Sequence, residues 1–574
     1  MAYLTETQLS SINSGINNRG ITVMTTKSRL GICAICVALL GSYANGATVT
    51  GTVKGPDGKA FKGAFVQVEN AKNHIVVSVL SDREGQFRVD NLAAGDYDFK
   101  IHAIGYRSDP RTGVSLTADQ KASYDFALQK GMVHWTDLSN YQGAQLLPEG
   151  PGKKTLTTTC FSCHGFQTRI ASAVRDESGW QDRVNFMRTK FWYFLRNLKD
   201  QDYANVTSYL AKNFGPDSDL PKSPADLPGY KDVAQAEFSD AAMRMVTVTY
   251  PLPGPDRFPG SAQPMKDGNV WIWTYNHAQF DKLDPKTGVV TEYAIPNPND
   301  HAGNHSVTMA PDGIVWFTEA DENNTIGKLD PATGKITQYH PTVPGNKHTI
   351  VVDSKGFVWL SASPVSRFDP KTETWTYFAA DAPSSYGITV DHQDNVWFSD
   401  MGKGKIGKID ATTGKVTRYD PPTPNSGARR IHVDAKGTVW FAEYRTGQIS
   451  SFDPETEKFK EYPLPGANPT PYGLAIDARN HVWYSSMDMD VIGELDPATG
   501  KVIEYPFIYS ENNIRDFFPG SDGRIWWGSE SHNHVGYFYL APAGPTTQST
   551  SSARDNTANK AKPASNPAPS TAAE

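Results

Sequence analysis

Val315-Trp316-Phe317-Thr318-Glu319 and, after a short loop, Ile326-Gly327-Lys328-Leu329-Asp330-Pro331-Ala332-Thr333-Gly334-Lys335-Ile336-Thr337-Gln338-Tyr339 form the stretch that decides the fold. Two short β runs lead into an Asp-Pro turn and then an outer strand. Pro presets the turn and Gly takes its positive φ. The pattern recurs around Trp271, Trp316, Trp359, Trp397, Trp440, Trp483 and Trp526, at spacings of 45, 43, 38, 43, 43 and 43 residues. That is the period of a four-stranded propeller blade. The last repeat ends near Leu540 without an outer strand, and Val246–Pro253 reads as an orphan outer strand able to complete it. A closed ring removes free sheet edges. The spacing therefore predicts a seven-bladed β-propeller over residues 241–540.

Identical register brings equivalent positions together around the axis. Eleven residues before each Trp stand Gly260, His305, His348, Tyr386, Arg429, Tyr472 and Arg515. This ring is rich in hydrogen-bonding and charged side chains, so its last six members are candidate ligand-binding residues. Arg429 and Arg515 suit a polar or anionic small molecule. Three residues after each Trp stand Thr274, Glu319, Ala362, Asp400, Glu443, Ser486 and Ser529.

The segments Val315–Glu319 and Ile326–Pro331 resemble the blade pattern of the virginiamycin B lyase (streptogramin lyase) family. The resemblance covers nearly all of residues 241–540. It implies seven blades, and for the lyase itself the opening of a cyclic depsipeptide by elimination, using His and Glu residues with Mg²⁺. His305 and His348 are then the candidate bases, and Glu319 and Glu443 the candidate metal ligands. Tyr386, Arg429, Tyr472 and Arg515 do not match a His-based constellation.

Residues 131–240 carry different chemistry. Cys160-Phe161-Ser162-Cys163-His164 is C-x-x-C-H, the spacing of c-type haem attachment: two thiols for the vinyl groups, and His164 as proximal iron ligand. A zinc site needs two further ligands, and no other Cys serves. A redox dithiol should follow a strand in a βαβ unit, whereas helical patterns follow here. Trp180, Val184, Met187, Phe191, Phe194 or Leu195, and Leu198 recur at helical spacing. Asp202 is expected to cap a second helix carrying Tyr203, Val206, Leu210 and Phe214, stopped by Gly215-Pro216. Met187 is the candidate sixth iron ligand, with plain core packing as the alternative. Residues 150–216 resemble cytochrome c modules of multidomain periplasmic oxidoreductases.

Residues 47–130 alternate in short strands with Gly/Asp turns, the pattern of a small antiparallel sandwich. Val49–Val53, Ala64–Val68, Gln86–Val89 and Tyr97–Ile101 are its strands. The run Gly51–Tyr106 resembles the carboxypeptidase regulatory-like domain, which implies a transthyretin-like, non-catalytic module.

The chain has 574 residues and a formal net charge of −7, which argues against a nucleic-acid partner. Its four cysteines, Cys33, Cys36, Cys160 and Cys163, exclude a disulfide scaffold. Lys27 and Arg29, the apolar run Leu30–Leu40, and Ala44-Asn45-Gly46 read as a secretory signal with cleavage near Gly46. Residues 1–23 then look like an over-extended start. Residues 541–574 are rich in Ala, Pro, Ser and Thr and are expected to be disordered.

The expected fold is mainly β: a sandwich, a small α-helical cytochrome c domain, and the propeller. The expected protein is periplasmic or secreted, with no transmembrane span in the mature chain. It carries one covalent haem c and serves electron transfer to a periplasmic redox partner. The alternatives are a streptogramin-lyase-like C–O lyase with an accessory haem, and a non-catalytic sensor or scaffold. Mg²⁺ at the propeller belongs to the lyase reading.

Overall fold

The computed structural model describes residues 46–542 except 163, 191–194, 196, 256, 276, 297–303, 320–324, 344–346 and 379–384. The signal segment up to residue 45, Cys163, Phe191, Phe194 and the tail from residue 543 lie outside the described residues.

Seven four-stranded antiparallel blades follow one another, numbered 1 to 7 from Pro259. Blade 7 is composite: Ile514–Pro519, Ile525–Ser529 and His534–Leu540 are joined by Met245–Pro251, which pairs along its length from Met245↔Leu540 to Pro251↔His534. The expected closing strand is therefore in place. The second strand of every blade but blade 3 is buried at all five positions, so the Val/Ile-Trp pairs pack between neighbouring blades. A repeat-level lock accompanies them. The indole N–H of Trp359, Trp397, Trp440 and Trp483 donates to the Asp six residues earlier, at 2.8, 2.9, 3.0 and 3.0 Å. Each Asp thus ties its turn to its strand.

Met245–Pro251 is not an edge strand. On its free side it pairs with Val76–Leu80 of the N-terminal module, in the register Thr247↔Ser78, Val248↔Val77, Thr249↔Val76. Blade 7 and one sandwich sheet thereby form one eight-stranded sheet. The sandwich closes its own core with Val49, Val66, Phe87, Val89, Tyr97, Phe99 and Leu116, and Val246 of the closing strand joins that cluster. Both edges are covered by one ladder, which removes two aggregation-prone rims. The strand Val76–Leu80 was not expected from the sequence.

Between sandwich and propeller, residues 131–240 form a helical module. Its helices are α1 (Asn140–Leu146), α2 (Lys153–Thr158), α3 (Glu177–Lys190) and α4 (Asp200–Phe214). Trp180 and Val184 of α3 meet Tyr203, Val206, Leu210 and Phe214 of α4 in one apolar cluster, as their spacing predicts. The cap differs from expectation. Lys199 is the N-cap residue, and Asp202 sits three residues on, where its carboxylate accepts the Lys199 amide at 2.8 Å. Gly215 ends the helix as expected. Among the described residues no helix is long and apolar enough to cross a membrane.

Candidate functional site at the axial mouth

The innermost strands of six blades begin with a β-bulge. Ser385 pairs with Asp400 but the next partners are Ile388 and Phe398, so Tyr386 and Gly387 are left over. The same slip leaves Arg429 and Arg430 in blade 5, Tyr472 and Gly473 in blade 6, and Arg515 and Asp516 in blade 7. Blades 1 and 2 slip at Gly260 and His305. In blade 3, His348 lies just ahead of its strand, Ile350–Val352. A bulge re-aims side chains out of the ladder, and here it turns the expected ring toward the axis.

Serine hydroxyls two residues after Trp359, Trp397 and Trp483 hold the starts of the inner strands of blades 3, 4 and 6. Ser361, in blade 3, donates to the Tyr386 carbonyl of blade 4 at 2.7 Å and accepts the Thr349 amide at 2.8 Å. Ser485 donates to the Ile514 carbonyl at 2.6 Å and accepts the Gly473 amide at 2.8 Å. Ser399 likewise joins the Gly387 amide to the Arg429 carbonyl. One hydroxyl therefore satisfies an amide freed by its own blade and fastens the next blade.

The six expected ligand-binding residues do converge. The His305 and His348 rings are 3.7 Å apart between centroids, and His348 and Tyr386 are 3.9 Å apart. The Tyr386 and Tyr472 hydroxyls hydrogen-bond to each other across two blades. The Arg429 guanidinium lies 3.8 Å from the Tyr444 ring centroid and 4.2 Å from that of Tyr472; Arg515 lies 5.5 Å from the latter. Gly260 leaves the ring open in blade 1, where a Cβ would overlap Trp273. Trp273 fills that sector and stacks on His305 at 5.5 Å.

A second row was missed. In blades 5 and 7 the second residue of the bulge also carries a side chain, which sets Arg430 against Asp516 at 3.4 Å and against Thr349 Oγ1 at 3.1 Å. Arg515 pairs with Glu530 at 2.8 Å. The Arg429-Arg430 and Arg515-Asp516 doublets were the available signal. Burial, and then the charges of Arg430 and Arg515, push His305 down to about 3. Burial also holds His348 well below the ordinary histidine value. Both imidazoles are neutral at pH 7 and weakly basic.

Glu319 and Glu443 do not join the ring. They end the second strands of their blades, and their carboxylates turn into the blade. Glu443 accepts from Thr446 Oγ1 at 2.8 Å, Gln448 Nε2 at 2.7 Å and Ser450 Oγ at 2.7 Å. Glu319 accepts from Gln338 Nε2 at 2.7 Å.

The loop after Cys160 seats on this same mouth. Inner strands start, and outer strands end, on one face of a propeller, and the blade 6–7 loops there meet the helical module. The buried Glu511 carboxylate accepts the Gly165 amide at 2.9 Å, the Thr168 amide at 2.8 Å, Thr168 Oγ1 at 2.7 Å and Ser531 Oγ at 2.6 Å. Asp490 accepts Gln167 Nε2 at 3.0 Å and the Glu511 and Asn512 amides, both at 2.8 Å. Burial raises its carboxyl to about 7. The Tyr141 amide donates to the Asp488 carbonyl at 2.9 Å. Arg169 lies over Phe258 at 4.3 Å and reaches the Glu530 carbonyl at 3.4 Å. Gly165 is required by this close approach: a Cβ would overlap Gln167 Oε1 and come within 2.7 Å of Glu511 Cγ.

His164 Nδ1 is 2.7 Å from the Gly165 carbonyl, which only accepts, so Nδ1 carries the proton and Nε2 the lone pair. Burial lowers the pKa of this imidazole, and the charges of Glu511, Arg169 and Arg515 act on it. Cys160 and Met187 both pack, half-buried, against the helical core of Leu156, Phe161, Phe166, Ile170 and Trp180.

Comparisons with known proteins bear on two of the three modules. The model of the virginiamycin B lyase family matches residues 371–549. The model of the carboxypeptidase regulatory-like domain matches residues 48–129. Both resemblances expected from the sequence are thereby supported. Among solved structures, virginiamycin B lyase from Staphylococcus aureus is 23% identical, with 52% of this chain and 100% of that chain covered and a TM-score of 0.48. A streptogramin B lyase structure is also 23% identical, with 53% and 100% covered and a TM-score of 0.49. No curated protein matches the chain.

Proposed function

We propose that this is an exported single-haem electron-transfer protein whose haem-bearing loop is docked on the mouth of a ligand-binding propeller. The observation that carries the reading is the seat of the Gly165–Thr168 turn, which directly follows the C-x-x-C-H motif. Glu511 and Asp490 lock the turn that follows the motif beside six converged axial side chains. The residues fit a haem. His164 keeps Nε2 for iron because Nδ1–H is spent on a carbonyl, the arrangement that orients a metal-bound imidazole. The apolar cluster around Cys160 gives the low-dielectric shell that a haem needs. Cys160, Cys163 and His164 would hold the group, and when bound it supplies one-electron chemistry. The propeller residues bind and orient whatever occupies the mouth. The secretory signal of the sequence supports a periplasmic setting, where haem attachment takes place.

An optical redox titration of the mature protein tests this reading. A reversible one-electron couple with c-type bands is expected; a chain with no visible redox band would contradict it. The same titration addresses Met187. If its thioether binds iron, Met187→Ala loses the sulfur-to-iron charge-transfer band and lowers the potential. If spectrum and potential stay put, Met187 is core, and only the cavity cost of about 2–5 kcal/mol appears.

The match to the virginiamycin B lyase family favours a second reading, a C–O lyase with an accessory haem. Two features weigh against it. A general base works best with a pKa near the working pH, and His305 sits near 3. Mg²⁺ at Glu443 would have to displace three hydrogen bonds. We expect no streptogramin ring opening with Mg²⁺. Cleavage that persists without haem and vanishes in His348→Ala or Glu443→Ala would establish the lyase instead.

A further inference from the structure

Arg429 differs from the other arginines of the mouth. It is 8% exposed, and among the described residues its Nε has no hydrogen-bond partner and its guanidinium forms no ion pair. Arg430 and Arg515 are held by Asp516 and Glu530. Around Arg429 stand three aromatic faces, Tyr444 at 3.8 Å, Tyr472 at 4.2 Å and Tyr386 at 5.6 Å. The Asp488 carboxylate feels the Arg429 charge, but its own hydrogen bonds go to Asn468 Nδ2, at 2.6 Å, and to Asn140. Arg445 adds a further positive charge, and each of the two guanidiniums disfavours the other's company. A buried guanidinium with no hydrogen-bonded counter-charge is costly unless a ligand supplies one.

The tyrosines fix its orientation. Tyr444 and Tyr472, 6.0 Å apart with ring planes 85° to each other, wall two adjacent sides of the guanidinium and leave its other sides for a partner. Of the two hydroxyls shared by Tyr386 and Tyr472, one proton is spent on the other oxygen. The second proton is left to donate elsewhere. The guanidinium and the Tyr386/Tyr472 hydroxyl pair line the same mouth, and both are donors suited to the oxygens of an oxyanion.

We propose that the mouth binds a small organic oxyanion, a carboxylate or a phosphate ester, on the edge of Arg429, with a Tyr386/Tyr472 hydroxyl as the second donor. This rests on reading the mouth as a ligand site and not on the haem. The hydrogen bonds described for the helical module reach the propeller at blades 6 and 7, and Arg169 stacks on Phe258 ahead of blade 1, whereas Arg429 stems from blade 5.

The test is calorimetric titration of the mature full-length chain with sodium acetate and, separately, inorganic phosphate, at constant ionic strength. Saturable binding of acetate supports the proposal and assigns the carboxylate; saturable binding of phosphate supports it and assigns the phosphate. Arg429→Gln should weaken the binding about 10- to 100-fold, and Arg429→Lys by less, since it keeps the charge and loses the fork. Circular dichroism checks that both variants keep the propeller. If neither anion saturates, or a folded Arg429→Gln chain binds as tightly as the parent, the proposal is overturned. The Cys160→Ala/Cys163→Ala chain should bind with the parent affinity, so failure of the haem reading and failure of this one are told apart.

Discussion

Replacing Glu511 with Ala should free the Cys160–Ala171 loop from the propeller while leaving the seven blades folded. The carboxylate is buried and serves four donors: two backbone amides and a hydroxyl of the helical module, and Ser531 of blade 7. Hydrogen bonds to charged groups contribute about 1.5–3 kcal/mol each, and three of the four lost here hold the helical module. The loss falls on one loop, so a local readout is the right one. Hydrogen exchange at Ile170 and Ala171, whose own bonds to the Phe166 carbonyl are unchanged by the substitution, reports opening of the loop. Acceleration of roughly 100- to 3,000-fold is expected, with blade amides unaltered. Glu511→Gln keeps one acceptor oxygen and should fall between. Unchanged exchange in Glu511→Ala would mean that the clamp does not hold the loop.

The architecture was legible because a repeat announces itself. Seven Trp at a period near 43, five of them followed by an Asp-Pro turn, fix blade count and register, and register alone placed His305, His348, Tyr386, Arg429, Tyr472 and Arg515 on one ring. The bulges that aim them were not legible. A bulge shows in sequence only as a doublet whose second member, such as Arg430 or Asp516, breaks the period-two alternation. Nor did the pattern separate Glu443 from the ring. Its distance from Trp440 is right for the mouth, but its rotamer is set by Thr446, Gln448 and Ser450 of the same blade.

Contacts between modules were the least legible. Gly165 and Glu511 are 346 positions apart, and nothing local in either sequence announces the pairing. Fusion of the sandwich with blade 7 is of the same kind. Val76–Leu80 is a short apolar run, and its partner Met245–Pro251 already had an assigned role in closing the ring. A strand has two hydrogen-bonding sides, and the sequence reading used only one.

The largest effect is expected from the two thiols, and it bears on the central claim, that the docked loop carries a covalent haem. Intact-mass spectrometry of the mature chain, made with periplasmic haem-attachment machinery, should show one added haem that resists acid acetone. Cys160→Ala/Cys163→Ala should lose that mass and all redox bands, yet keep the circular dichroism of the propeller, because the blades draw their stability from their own cores. A chain of unmodified mass, or haem that extracts into acid acetone, would contradict the account.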